Sequence, residues 1–167
     1  PMPDDTTAAS HPAPGPLRPA DAVRRRQVRR VLRERFGIDH LREGQEAVID
    51  RVLGGLPTIA IMPTGAGKSL CYQLPALLLP GVTVVVSPLI ALMKDQCDKL
   101  AGLGVAAVQL NSSLAPAEIA QAEAAIAGGR AKLVFTTPER LADRDFAALL
   151  LTRQVSLLAV DEAHCIS

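Results

Sequence analysis

Thr58-Ile59-Ala60-Ile61-Met62 is followed by Pro63-Thr64-Gly65-Ala66-Gly67-Lys68-Ser69 and then by Leu70-Cys71-Tyr72-Gln73-Leu74. An apolar strand, a glycine turn and a helix in that order form the setting of a phosphate-binding loop. Gly65 and Gly67 admit backbone angles that side chains forbid, so the amides from Thr64 through Ala66 to Ser69 can converge on phosphate oxygens. They do so at a helix N-terminus, whose positive end favours an anion. Lys68 would reach the terminal phosphates of a nucleoside triphosphate, and the Ser69 hydroxyl would ligate Mg2+. The strict form of the pattern has glycine at position 62, where this chain has Met62; the converging amides lie after it. The competing reading is a glycine turn that merely caps a helix. By composition, a chance Gly-x-Gly-Lys-Ser run is expected in about one chain of this length in a hundred, and the flanking strand and helix lower that further.

A loop that hydrolyses its nucleotide also needs a carboxylate for the metal and a base for water. Leu157-Leu158-Ala159-Val160 reads as a buried strand and ends in Asp161-Glu162-Ala163-His164. Asp161, at the C-terminal end of that strand, can hold Mg2+ directly or through water. Glu162, next along the turn, is placed to orient or deprotonate the attacking water. His164 would transmit the state of the terminal phosphate to other parts of the protein. An acidic pair after a strand is by itself a common turn; its specificity comes from sharing a domain with the glycine loop. His164 with Cys165 lacks further ligands at suitable spacing, so no zinc site is expected.

The rest of the chain reads as the scaffold for these two groups. Residues 1 to about 20 are rich in proline and alanine and carry no apolar periodicity, which predicts a disordered or polyproline-like tail. Asp21 is a plausible N-cap for a helix with Val28, Val31, Leu32 and Phe36 on its apolar face and Gly37 as its stop. Its opposite face carries Arg24, Arg25, Arg26, Arg29, Arg30 and Arg33, either a phosphate-binding strip or a solvated basic face. Apolar runs at Thr58–Met62, Val82–Ser87, Ala106–Leu110, Lys132–Thr136 and Leu157–Asp161 then alternate with helical patterns at about 67–79, 89–103, 115–128 and 139–151. That alternation predicts an α/β fold: a parallel sheet flanked by helices, with the strand C-termini and their loops along one edge. Ligands of open α/β sheets bind at that edge.

Beyond these two groups, Phe36-Gly37 with Leu41-Arg42-Glu43-Gly44-Gln45, the Cys71-Tyr72-Gln73-Leu74-Pro75 extension of the glycine loop, Val84 to Gln96, Thr137-Pro138-Glu139-Arg140-Leu141 and the Cys165-Ile166-Ser167 tail stand in one order. The chain from about Leu32 to Ser167 resembles the RecQ family of superfamily 2 DNA helicases, matching in order its motifs 0, I, Ia, Ib and II. The resemblance implies a first RecA-like motor lobe over residues 21–167 that binds ATP and Mg2+. It implies that Arg42 and Gln45 contact the adenine base, although Ile38 and Leu41 stand where the family usually has aromatic residues. It implies that Ser87, Pro88, Leu89 and Lys94, with Thr137 and Arg140, lie against the sugar–phosphate backbone of single-stranded or partially duplex DNA. Contacts of that kind give salt-sensitive affinity without sequence specificity. With few aromatics for stacking, the grip on DNA should be weak. The family also implies 3′ to 5′ unwinding and roles in recombination and repair.

What the chain lacks shapes the expectation too. A helicase motor uses an arginine from a second lobe, and no second lobe follows Ser167, so the chain reads as a lobe incomplete at its C-terminus, with negligible turnover alone. Two other readings are weighed: a stand-alone nucleotide- or DNA-binding module without motor activity, and an RNA helicase or other phosphate-loop ATPase lobe, against which the Cys71-Tyr72-Gln73 and Cys165-Ile166-Ser167 runs argue. Composition fits a folded domain of ordinary polarity, 49% hydrophobic and 21% charged. A near-neutral balance of 18 basic and 17 acidic residues names no partner. Three dispersed cysteines predict neither a disulfide framework nor a zinc cluster and fit a reducing, intracellular setting. The most apolar stretch, Leu74 to Val86, is broken by Pro75, Pro80 and Gly81 and is too short to span a bilayer. The N-terminus has no signal-peptide pattern.

Overall fold

The computed structural model describes residues 19–63 and 65–165. The expected tail therefore lies outside the described residues, apart from Pro19 and Ala20, which open helix α1 (Pro19–Phe36). Asp21 consequently sits in the first turn of α1 and is not its N-cap; its carboxylate still serves the positive helix end and lies 3.8 Å from Arg24. Helix α1 buries Val28 and Leu32 against Ile49, Leu70 and Leu74, and stops at Gly37, whose φ of +64° suits glycine. Part of the basic strip is neutralised locally: Arg25 reaches Glu46 and Asp50, and Arg33 reaches Asp39.

Four strands form one parallel sheet: β1 (Val82–Val86), β2 (Ala107–Leu110), β3 (Leu133–Thr136) and β4 (Val155–Val160), in the order β2-β3-β1-β4. Between them run α3 (Leu70–Leu78) before β1, α4 (Ile90–Gly102), α5 (Pro116–Ala127), α6 (Pro138–Leu141) and α7 (Arg144–Leu151). Alternation within the strands explains why helices cover both faces. Val82, Val84 and Val86 point into one core with Ile126, Phe146 and Leu150 of α5 and α7. Val85, Leu133 and Phe135 point into the other with Tyr72 and Ala76 of α3 and Met93 and Leu100 of α4. Every residue of β1 is buried, as a central parallel strand requires. All four strands end at one edge, where Ser87, Asn111, Thr137 and Asp161 follow them.

Beyond the position of Asp21, the structure departs from the sequence expectations in three places. Helix α2 (Gln45–Leu53) was not anticipated; it packs on α3 and carries Ile49 into the α1 core. The span 139–151 is two helices, not one. Thr137 caps α6 by accepting from the Arg140 amide, and Asp143 caps α7 by accepting from the Phe146 amide at 2.9 Å. The apolar run Thr58–Met62 is not a strand: it has no regular secondary structure, and Ile59 and Ile61 are 93% and 96% exposed. Among the described strands β4 pairs only with β1. A cleft of about 790 Å³ separates the 56–62 segment from the outer edge of β4, where Leu158 and Val160 are also exposed. A β-propensity run becomes a strand only where a neighbour completes its hydrogen bonds, and here none is present.

Candidate nucleotide site

The glycine loop enters α3 as expected. Gly65 and Gly67 have φ of +79° and +74°, and the Ala66 amide closes a turn on the Pro63 carbonyl at 3.1 Å. Ser69 is the N-cap of α3, yet its side chain makes no capping hydrogen bond, so the hydroxyl is not spent on the helix end. Thr64 lies outside the described residues. A cleft of about 380 Å³ at the sheet edge is lined by Gly65, Gly67, Lys68, Ser69, Asp161 and Glu162. The two groups singled out in the sequence, some ninety positions apart, thus face one cavity. Hydroxyl and carboxylate oxygens are hard donors, so Ser69 and Asp161 fit Mg2+ by chemistry as well as placement.

Four contacts define the polar floor of this cleft. Lys68 Nζ stands 3.5 Å from Glu162 Oε1, an ion pair that joins the phosphate loop to the strand-end carboxylate. Asp161 is held on both oxygens: the Tyr72 hydroxyl donates to Oδ2 at 3.1 Å and the Glu162 amide to Oδ1 at 2.9 Å. The Asp161 amide donates to Val86 of β1 at 2.8 Å, which fixes the turn to the sheet. Glu162 has φ +52°, the one non-glycine residue with positive φ among those described. A left-handed conformation at a carboxylate in a cleft is the kind of strain that concentrates at functional positions. His164 and Cys165 follow on an exposed 3-10 turn (Ala163–Cys165), with His164 Nε2 3.4 Å from Glu162 Oε2.

Tyr72 is the residue that sequence reasoning passed over. It is the only tyrosine in the chain, packs edge-on to Phe135 with ring centroids 6.4 Å apart, and lines the cleft. Burial, then the charge and hydrogen bond of Asp161, push its phenol well above the ordinary range, so it stays a proton donor. The available signal was its position one helical turn after Ser69. Gln96 also lines the cleft and accepts from Gln73 at 2.7 Å, tying α4 to α3.

Arg42 and Gln45, which the resemblance assigns to the adenine base, stand beside the glycine loop and bind its backbone. Gln45 is 2% exposed; its amide nitrogen donates to the carbonyls of Ala66 and Gly67 at 3.2 and 3.0 Å, and its oxygen accepts from the Arg42 amide at 2.7 Å. The Arg42 guanidinium donates to the Gly65 carbonyl. These two residues brace the loop from outside. A Cβ at Gly67 would come within 2.5 Å of the Gln45 amide nitrogen, so the close approach requires glycine.

The residues expected to meet DNA divide by environment. Lys94 is exposed on α4, and Leu89 is exposed at the end of the Ser87-Pro88 turn. Ser87 is buried, lines the nucleotide cleft, and its hydroxyl accepts from the Leu89 amide at 3.2 Å. Thr137 is buried as the cap of α6. Arg140 donates to Glu123 at 2.8 Å and lies over the Phe146 ring at 5.5 Å. Among the described residues, no helix is long and apolar enough to cross a membrane.

The geometry accords with what comparison with known proteins finds. The DEAD/DEAH box helicase family profile matches residues 42–167. The chain is 48% identical over 137 residues to the ATP-dependent DNA helicase RecQ of Pasteurella multocida, covering 82% of this chain and 22% of that protein. It is 46% identical over 138 residues to the enzyme of the same name from Bacillus subtilis, covering 82% and 23%, and 45% identical over 133 residues to the ATP-dependent DNA helicase Q-like 5 of Arabidopsis thaliana, covering 79% and 14%. The chain thus spans about a fifth or less of the length of these relatives. A crystal structure of the DUF1998 helicase MrfA bound to DNA and AMPPNP shares the fold, with a TM-score of 0.65 at 23% identity over 83% of this chain and 21% of that one. The chain whose parallel sheet brings the glycine loop and the strand-end Asp161-Glu162 pair to one cleft therefore belongs to the DEAD/DEAH box helicase family.

Proposed function

We propose that the chain is the ATP-binding motor lobe of a RecQ-type DNA helicase, in which ATP hydrolysis drives 3′ to 5′ unwinding once a second lobe closes over the cleft. The observation that carries this reading is the convergence of Lys68, Ser69, Asp161 and Glu162 on one cavity, with Lys68 and Glu162 3.5 Å apart. The names of the relatives support DNA as the polymer, and an intracellular, chromosome-associated setting follows from that substrate.

The amides of the glycine loop and the N-terminus of α3 bind the phosphates. Lys68 then exchanges Glu162 for the β- and γ-phosphate oxygens, and this exchange leaves the Glu162 carboxylate available to orient and deprotonate the attacking water. Ser69 and Asp161 would hold Mg2+, which when bound neutralises charge building on the transferred phosphoryl oxygens. Tyr72 and the Glu162 amide keep Asp161 in one orientation. His164, 72% exposed and 3.4 Å from Glu162, is placed to report nucleotide state to a neighbouring lobe. Lys94 and the Pro88–Leu89 turn offer the polymer backbone an exposed cation and a loop on the same sheet edge.

Titration calorimetry with Mg2+-ATP tests the reading. Binding by the parent chain and its loss in Lys68→Ala are expected; equal affinity in the two would remove the phosphate-loop assignment. Binding to a fluorescent single-stranded oligonucleotide should weaken as salt rises, and weaken again in Lys94→Ala. Salt-independent binding would argue against a backbone-directed DNA surface.

A further inference from the structure

We infer that Glu162, His164 and Cys165 form a binding site for a soft divalent cation of the zinc class, distinct from the hard-donor pair Ser69 and Asp161. One carboxylate oxygen, one imidazole nitrogen and one sulfur from these residues lie within 4.8 Å of one another. The spacing His164-Cys165 alone offers two ligands, too few for a site; the fold supplies the third from Glu162, which enters the 3-10 turn at a positive φ with its carboxylate 3.4 Å from His164. His164 Nε2 and Glu162 Oε2 are 3.4 Å apart. That is the edge of a tetrahedron whose centre lies about 2.1 Å from each atom, the usual zinc distance to nitrogen and carboxylate oxygen. His164 and Cys165 are exposed, so a cation reaches them from solvent and water completes the fourth position.

The donors decide which cation. Imidazole and thiolate prefer zinc-class ions to Mg2+, whereas a serine hydroxyl and an aspartate prefer Mg2+. Adjacent residues of one turn therefore sort two kinds of cation. Binding displaces the thiol proton of Cys165 to solvent, with no change of oxidation state. The consequence for turnover rests on the reading of Glu162 as the base: a cation on its Oε2 holds the carboxylate away from water, so hydrolysis falls while the phosphate loop still takes nucleotide.

Cobalt(II) is the probe, titrated into the reduced, thiol-exchanged 167-residue chain. The expected result is one equivalent bound, with a thiolate-to-cobalt charge-transfer band and the strong visible bands of a tetrahedral ion, displaced by zinc and unmoved by excess Mg2+. Cys165→Ser should abolish the charge-transfer band without altering the far-ultraviolet circular dichroism, and His164→Asn should weaken binding about tenfold or more. A band that survives in Cys165→Ser would place the thiolate at Cys71 or Cys97 and overturn the site; so would a parent chain that shows only weak six-coordinate bands. A fluorescent ATP analogue run in parallel separates the two readings. Failure to bind it would strike the nucleotide site alone, because the cobalt spectrum does not depend on nucleotide.

Discussion

The Tyr72 hydroxyl donates to Asp161 Oδ2 at 3.1 Å, so the helix that starts at the phosphate loop also fixes the carboxylate on the strand opposite it. The glycine loop and Asp161 are therefore linked through one buried side chain. Phenylalanine at 72 keeps the packing against Phe135 and removes only the donor. A hydrogen bond to a charged group contributes about 1.5–3 kcal/mol when buried; Asp161 is half-buried, which reduces this. Tyr72→Phe should leave nucleotide affinity in the absence of Mg2+ unchanged and raise the Mg2+ concentration needed for tight binding about three- to tenfold. Equal Mg2+ dependence in the two proteins would show that Asp161 is positioned by the Glu162 amide alone.

Gln45 spends both hydrogens of its side-chain amide on the Ala66 and Gly67 carbonyls, and its oxygen accepts from the Arg42 amide, so it has no donor to offer a base while it holds the loop. Its loss should therefore damage the loop and not the choice of nucleotide. Gln45→Ala is expected to weaken ATP and GTP alike, by about tenfold or more, since two buried bonds to the loop disappear. A loss confined to ATP would restore Gln45 to reading the adenine edge. Gly67→Ala should be as damaging, because the added methyl meets Gln45 and the residue must keep φ near +74°.

Arg140 illustrates how far sequence reasoning reaches. The sequence pattern ends a strand at Thr136 and starts a helix at about 139, but the partners of Arg140 come from α5 and α7, whose placement no local pattern encodes. Tied to Glu123 and stacked on Phe146, its side chain is 26% exposed. Arg140→Ala should lower unfolding free energy by roughly 1–2 kcal/mol, the sum of a half-buried charged pair and a cation–π contact. Lys94→Ala, on an exposed face, should leave stability within about 0.5 kcal/mol of the parent. Urea denaturation of both variants checks this; an unchanged midpoint for Arg140→Ala would mean that its contacts are not maintained in solution.

The parts written as local chemistry were readable. The four paired strands are short apolar runs closed by turn residues, and the glycine loop and Asp161-Glu162 are patterns whose physics is contained in the residues themselves. What depended on a distant neighbour was not. Helix α2 is short, with Val48, Ile49, Val52 and Leu53 at helical spacing but a left-handed Gly44 as its N-cap. The 139–151 pattern hid a cap at Asp143. Arg42 and Gln45 were expected to contact an adenine base; the partners they have here are carbonyls of the glycine loop, which leave no trace in a sequence. Thr58–Met62 has a strand's composition but finds no strand to pair with.

The cysteines differ in burial enough to predict their chemistry. Burial, followed by the charge of Asp98, pushes the Cys97 thiol up to about 12, and burial raises that of Cys71. A raised thiol pKa means the protonated, unreactive form persists until the pH climbs past it, so at pH 8 Cys97 stays protonated. Cys165 is exposed on its turn. Brief treatment with iodoacetamide at pH 8 should add one label, at Cys165, and denaturation should admit two more. Peptide mass mapping that finds Cys97 labelled as fast as Cys165 would show that α4 opens readily.

The outer edge of β4 and the 56–62 segment present two apolar walls with unpaired backbone between them. Ile59 and Ile61 on one side and Leu158 and Val160 on the other line one cleft, and among the described strands β4 has no neighbour beyond it. An exposed, apolar strand edge is a template for pairing with another chain. The isolated chain should therefore self-associate as its concentration rises, and a single charge on either wall, Leu158→Lys or Ile61→Lys, should return it toward monomer by making pairing desolvate an ammonium group. Sedimentation velocity over a hundredfold concentration range distinguishes the outcomes. A parent chain that remains monomeric throughout would mean that the two walls close on each other in solution, and both lysine variants would then lose stability instead of gaining solubility.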